Sequence, residues 1–217
     1  MNRAVAYAAN APLMGVPGAA PPPGGQGEWF RGAGGLRLRA AMWTPSTLVA
    51  AKPRGTVVLS PGRTEPIEKY FELIGNLLAR GFCVLAHDWR GQGLSARLLP
   101  DRLKGHARAV EEFLDDYGRL METFEARAPK PWIMLGHSMG ATLNLMTLEA
   151  GETRFSGAVL CSPMLRIKTG KRSMWSVKLA ARWNLRHGKA GDYVLDDADD
   201  PFDHTFENDA LTSDETR

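Results

Sequence analysis

Apolar residues follow two different patterns along this chain. Short uninterrupted apolar runs are typical of strands buried on both faces, whereas apolar residues that recur every three or four positions indicate one face of a helix. The strand-like runs are GTVVLS (55–60), FCVLAHD (82–88), PWIMLG (131–136) and SGAVLCSP (156–163). The helical patterns lie in residues 66–80, 104–127 and 138–150. This alternation predicts an α/β protein with a mostly parallel sheet wound by helices.

Composition divides the chain into three regions. Residues 1–28 are rich in Ala, Pro and Gly, and we expect them to form a disordered leader. The predicted core covers residues 29–163 and opens with FRGAGGLRLRAAMWTP (30–45), whose alternating residues about a Gly-rich turn favour a hairpin. Residues 164–217 form a separate segment, in which SMWSVKLAARWNLRH (173–187) predicts an amphipathic helix before a polar, acidic end.

The net charge of the 217-residue chain is +3, but its distribution is uneven. Residues 163–191 contain eight basic residues and no acid, and residues 192–217 contain ten acids and one base. Two such blocks can pair with each other. The alternative is a basic, Trp-bearing surface that contacts anionic lipid headgroups. No nucleic-acid partner is predicted.

Cysteine usage and hydropathy bear on the compartment. Cys83 and Cys161 lie in apolar strand-like runs, and we expect both to be buried free thiols in a reducing compartment. No run reaches the roughly 18 apolar residues of a membrane span. We therefore expect a cytoplasmic protein, with peripheral contact with the inner membrane as an alternative. The acidic cluster at 196–203 lacks the glycine and terminal Glu of an EF-hand, so no metal site is predicted.

The motif Gly136-His137-Ser138-Met139-Gly140 stands between a predicted strand and a predicted helix. In a G-x-S-x-G turn, the flanking glycines make room for a strained serine backbone that lifts the hydroxyl clear of the sheet. In this setting the pattern predicts a nucleophile elbow with Ser138 as the catalytic nucleophile.

A serine nucleophile in such a turn needs donors for the oxyanion that forms during acyl transfer. The backbone amide of Met139 is one candidate, because it lies at the start of the following helix. The amide of Arg63, in the loop SPGRTEP (60–66), is the other. The Gly-rich segment HDWRGQGLS (87–95) lacks the spacing of a phosphate loop, and we expect it to pack against the nucleophile turn.

Three segments together carry a family resemblance. LSPGRTEPIEKY (59–70), HDWRGQGLS (87–95) and GHSMGATLN (136–144) resemble the α/β-hydrolase fold, and more narrowly its monoacylglycerol lipases and bacterial lysophospholipases. The resemblance extends from about Trp29 to the end of the chain. It departs in one place, since relatives often have His-Gly where this chain has Pro61-Gly62.

The resemblance implies hydrolysis of a carboxylic ester through an acyl-serine intermediate. It implies no cofactor, and it places the beginning of a cap or lid in residues 164–217. The substrate it implies is a lipid monoester, such as a lysophospholipid or a monoacylglycerol.

The acid and base that should activate Ser138 are not recognisable. In this fold the order along the chain is Ser, Asp or Glu, then His, yet only His187 and His204 follow Ser138. We expect a C-terminally truncated chain that lacks the last strands and the triad partners. The alternatives are an improvised triad of His204 with Asp200 or Asp203, and an inactive relative that binds a lipid or a partner.

Overall fold

The computed structural model of the protein describes residues 10–15, 18–167, 169 and 172–194. The chain divides into two compact units, Met1–Arg166 and Ile167–Arg217. The first unit contains the sheet and three α-helices. The second contains one α-helix among its described residues.

Six strands form one sheet in the first unit, in the order β1-β2-β4-β3-β5-β6. The first two form the predicted antiparallel hairpin, and β2 is also antiparallel to β4. The pairs β3–β4, β3–β5 and β5–β6 are parallel, which confirms the mostly parallel sheet. The strands are β1 Gln26–Arg31, β2 Arg37–Trp43, β3 Thr56–Ser60, β4 Cys83–His87, β5 Trp132–His137 and β6 Phe155–Cys161.

Helices cover both faces of this sheet. They are α1 Phe71–Ala79, preceded by a 3-10 turn at Ile67–Tyr70, α2 Glu111–Phe124 and α3 Met139–Glu149. Side chains alternate across a strand, so Val58 packs in the core beneath α2 and α3, and Leu59 packs in the core beneath α1. The doubly wound α/β architecture is therefore confirmed.

Two boundaries differ from the predictions. The helix predicted over residues 104–127 begins only at Glu111, because residues 104–110 form an irregular segment that contains Gly105. The expected leader also has fixed structure in its described part. Ala11 is buried and its N–H donates to the Gly27 carbonyl at 2.8 Å. Order therefore begins before Trp29, which corrects that prediction for residues 10–15 and 18–28.

The strand β6 is the outermost strand of the sheet at the end opposite β1. Among the described residues it pairs only with β5, and Val159 is 50% exposed.

Cys161, at the end of β6, is exposed as well, so the prediction of two buried cysteines is wrong for this residue. The reason is that nothing in the described chain covers the outer face of β6. Cys83 is buried as expected, and burial raises the pKa of its thiol.

The second unit contains α4, Met174–Arg186, in the stretch predicted to be helical. Ser173 caps its start, since the Ser173 hydroxyl accepts the Ser176 N–H at 3.2 Å. In the part of the chain that the structure describes, no helix has the length and apolar content needed to cross a membrane.

Candidate active site

Ser138 occupies a sharp turn between β5 and α3. Its backbone has φ 48° and ψ −115°, in the left-handed region that costs a residue with a Cβ about 1–3 kcal/mol. The surrounding contacts hold it there: the Ser138 N–H donates to the Cys161 carbonyl at 2.9 Å, and its carbonyl accepts the Met164 N–H at 3.2 Å. The turn is thus fixed to the end of β6.

The two glycines of the motif are required by close backbone contacts. A Cβ at Gly136 would lie 2.7 Å from the backbone of Ala141, in the first turns of α3. A Cβ at Gly140 would collide with the carbonyl oxygens of Ser60 and Pro61. Glycine at these positions therefore lets α3 approach both β5 and the loop that follows β3.

That loop, which we call the oxyanion loop, comprises residues 61–65. The side chain of Gln92 holds it from two sides, because its Nε2 donates to the Gly62 carbonyl at 3.0 Å and its Oε1 accepts the Thr64 N–H at 2.9 Å. Trp89 Nε1 donates to the Pro61 carbonyl at 2.9 Å. The segment predicted to pack against the nucleophile turn, residues 87–95, thus braces the oxyanion loop directly.

The two predicted oxyanion donors lie on the two structures that Gly140 brings together. Met139 is the first residue of α3, where an N–H has no acceptor within its own helix. The Arg63 N–H lies between the two backbone groups held by Gln92. Within the described residues, neither amide donates to a protein acceptor. Both are therefore free to bind an external oxygen.

Glu65 connects the oxyanion loop to the nucleophile turn. Its buried carboxylate accepts the Gly62 N–H at 2.6 Å and a hydrogen bond from Tyr70, and its Oε2 lies 3.0 Å from His137 Nδ1. Lys69 Nζ donates to its other oxygen at 2.7 Å. Burial raises the pKa of Glu65, but the bonds from Lys69, Tyr70 and His137 outweigh that effect and lower it to about 2.

A second buried carboxylate fixes the segment 87–95. Asp88 accepts hydrogen bonds from Arg39 Nε at 2.7 Å, from the Ile67 N–H at 3.0 Å and from the Leu94 N–H at 2.9 Å. Arg39 also donates to both oxygens of Glu68, at 2.6 and 2.7 Å. This network ties β2 and the end of β4 to the turn before α1, beside the oxyanion loop.

Neither Glu65 nor Gln92 was singled out from the sequence. The spacing of Glu65 from Gly62, with Tyr70 five residues later, was the available signal. It could not be interpreted without knowing that His137 faces the same carboxylate. Gln92 was assigned a structural role only as part of its segment.

No histidine in the described part of the chain forms a hydrogen bond with the Ser138 hydroxyl. His87 is enclosed, with its ring 4.3 Å from that of Trp89, and burial lowers its pKa to about 3. His137 faces Glu65. His187, in the second unit, faces the Trp183 carbonyl at 2.8 Å. His204, the other histidine that follows Ser138, lies outside the described residues.

The proposed acids Asp200 and Asp203 also lie outside the described residues, as does the acidic cluster at 196–203. The structure therefore places the predicted Ser138, Met139 and Arg63 at one site, and no acid or base for Ser138 is identified among the described residues.

A serine in left-handed conformation, at the carboxyl end of a parallel strand that is paired on both sides and at the start of a helix, defines the class of α/β-hydrolases. Residues 51–216 match the family model described as serine aminopeptidase, S33. Because this match covers more than half of the chain, the protein belongs to that family.

Individual relatives match shorter stretches. The chain is 37% identical over 114 residues to lysophospholipase L2 of Escherichia coli strain K12, which covers 51% of this chain and 33% of the relative. It is 33% identical over 142 residues to monoacylglycerol lipase of Mycolicibacterium smegmatis, covering 65% and 48%. The crystal structure of Paleococcus ferrophilus monoacylglycerol lipase superposes with a TM-score of 0.54 at 28% identity, covering 68% of this chain and 51% of that one. The chain thus spans about half or less of these relatives.

Proposed function

We propose that the chain carries the nucleophile and the oxyanion donors of a serine hydrolase that cleaves carboxylic esters of lipids. The observation that carries this proposal is the left-handed backbone of Ser138 at the strand-to-helix turn, next to an unengaged Met139 amide. Strain of this kind persists where surrounding structure enforces it, and it is concentrated at functional sites.

In the proposed reaction, Ser138 Oγ attacks the ester carbonyl carbon while a histidine outside the described residues takes its proton. The amides of Met139 and Arg63 donate to the resulting oxyanion. When the tetrahedral intermediate collapses, the carbon–oxygen bond to the alcohol breaks, and the histidine returns the proton to that alcohol. Water then attacks the carbonyl carbon of the acyl-serine ester while the histidine takes its proton. The bond to Ser138 Oγ breaks, the histidine returns the proton to Ser138, and the free acid leaves.

The proposed substrates are lipids with a single acyl chain. Support comes from the names of the relatives, which are a lysophospholipase and monoacylglycerol lipases. A nucleophile turn alone serves many ester and thioester hydrolases, so the substrate class is the finer part of the proposal.

The helix α4 supports contact with a membrane surface. Trp175, Leu179 and Trp183 recur every four residues and are each more than half exposed. Lys178 and Arg182 form a neighbouring basic row on the same helix. An interfacial helix combines an apolar row with basic residues in this way. We expect the protein to co-sediment with phosphatidylglycerol vesicles more than with phosphatidylcholine vesicles, and replacing Trp175 and Trp183 by Ala to weaken that binding.

A second candidate function is lipid binding without catalysis on the same scaffold. It is favoured by one observation, which is that the Ser138 hydroxyl has no histidine partner among the described residues. A protein of this kind would retain a lysolipid and yet leave esters intact.

Hydrolysis of p-nitrophenyl butyrate separates these two candidates. The serine hydrolase should release p-nitrophenolate, and Ser138→Ala should abolish the release. The matched control is Ser46→Ala, which removes an exposed hydroxyl and should have no effect. Absence of turnover together with retention of lysolipid would favour the binding protein.

A further inference from the structure

A cavity of about 410 Å³ lies next to the proposed oxyanion donors. Arg63 and Met139 line one part of it, and residues 105–110 with Phe113 line another. This volume lies in the range of small-ligand sites, about 300–1,000 Å³. The cavity therefore has room for a substrate group attached near the scissile ester.

The lining of this cavity is positively charged. Arg63, Arg90, His106 and Arg108 line it, and no carboxylate does among the residues described. Two carboxylates lie close by. Asp116 pairs with Arg90 at 2.6 Å, and Glu112 also pairs with Arg90 at 2.6 Å.

These two acids leave an excess of positive charge. Both are bound to one guanidinium, and Glu112 also accepts the Arg108 backbone N–H at 3.0 Å. Among the described residues, Arg63, Arg90 and Arg108 carry one positive charge more than these two acids cancel. The start of α3, at Met139, adds the positive end of a helix dipole.

We propose that this cavity is a phosphate subsite, and that Arg63, His106 and Arg108 select a lipid monoester whose alcohol carries a phosphate. Guanidinium groups bind phosphate oxygens with charge-assisted hydrogen bonds. The subsite lies beside the oxyanion donors, where the glycerophosphate of a lysophospholipid would follow its ester. An uncharged monoacylglycerol has no anionic group that would pair with Arg63 or Arg108. The inference rests on the proposed function, because it assigns the leaving alcohol of that reaction.

The binding of sn-glycerol 3-phosphate to the full 217-residue protein tests the subsite without requiring turnover. Isothermal titration calorimetry should show tighter binding of sn-glycerol 3-phosphate than of glycerol or inorganic phosphate. Arg108→Gln should raise its Kd by about tenfold or more, as loss of a charge-assisted hydrogen bond predicts. His106→Gln should raise it less. Arg119→Gln, at an exposed position of α2, is the matched control and should leave Kd unchanged.

Two results would overturn the subsite. One is a Kd that Arg108→Gln and Arg119→Gln change equally, while thermal unfolding shows both variants folded. The other is equal binding of glycerol and sn-glycerol 3-phosphate, since the cavity would then not recognise the phosphate. Hydrolysis of p-nitrophenyl butyrate tests the proposed function separately, because this ester has no phosphate. Turnover of that ester without glycerophosphate binding would remove the subsite and leave the hydrolase.

Discussion

The Nδ1 atom of His137 lies 3.0 Å from Oε2 of Glu65. His137 directly precedes Ser138, and Glu65 closes the oxyanion loop, so this contact joins the nucleophile turn to the loop that presents the Arg63 amide. The same carboxylate oxygen accepts the Gly62 N–H at 2.6 Å. The relative position of the proposed nucleophile and the proposed oxyanion donor is thus held by one buried acid.

Glu65 should therefore contribute to stability in a pH-dependent way. Its pKa falls from the ordinary 4.5 to about 2 in the folded protein, so its contribution is complete above pH 4.5 and is lost as the pH falls towards 2. Glu65→Gln should destabilise the protein at pH 6, and the difference from the unmodified protein should narrow below pH 4.5. Urea unfolding at several pH values measures this.

The control for that experiment is Asp115→Asn, which removes an exposed negative charge from α2. If the two variants show the same dependence on pH, Glu65 does not act as a buried anchor.

Gln92 should support catalysis through the oxyanion loop. Gln92→Ala removes both hydrogen bonds that flank Arg63, so kcat for p-nitrophenyl butyrate should fall by about tenfold to a hundredfold, less than the loss of an oxyanion donor itself. KM should change little, because the oxyanion is stabilised in the transition state and not in the bound substrate. Gln92→Glu keeps an acceptor for the Thr64 N–H and should show an intermediate loss. An unchanged kcat in Gln92→Ala would show that Gln92 is not needed to position the loop.

Gly140 should tolerate no side chain. Gly140→Ala places a methyl group against the Ser60 and Pro61 carbonyls, and we expect a loss of about 2 kcal/mol in the free energy of unfolding, as in other overpacked sites. Gly118→Ala is the matched control, because a Cβ there meets nothing within 4 Å. It should instead stabilise α2 by about 0.5–1 kcal/mol. Equal effects of the two substitutions on the urea midpoint would contradict the close approach of α3 to the oxyanion loop.

The outer edge of β6 should promote self-association. Val159 is half exposed on a strand that pairs on one side only within the described chain, and open apolar edges are templates for strand pairing. Val159→Lys should lower the aggregated fraction seen by light scattering. The control Lys130→Arg replaces one exposed basic residue by another and should leave the aggregated fraction unchanged. A sharp, reversible melt of a monomeric unmodified protein would contradict the expected aggregation.

Local patterns were sufficient to predict most of the fold. Uninterrupted runs such as residues 82–88 became buried strands because neighbours cover both of their faces. The start of α2 was placed too early, because the apolar spacing did not reveal that residues 104–110 are irregular. Arg39 alternates with apolar residues as an exposed strand residue would, yet it is fully buried. Only the tertiary contact with Asp88 and Glu68 explains its burial.

The strand-to-helix turn at Ser138 could be predicted because it depends on neighbours in sequence. Ser138 and Met139 lie in one turn, and their geometry follows from the spacing of two glycines. Glu65 and His137 are 72 residues apart, so their contact depends on the order of β3 and β5 in the sheet. The acid and base could not be assigned, since the fold places such groups after later strands.

The most direct test of the central claim is to identify the serine that a fluorophosphonate modifies in the protein captured from the cells that make it. We expect one phosphonylated residue, Ser138, located by tandem mass spectrometry of the peptide, and no labelling in Ser138→Ala. Labelling of a different serine, or none at all in the unmodified protein, would contradict the assignment of Ser138 as an activated nucleophile.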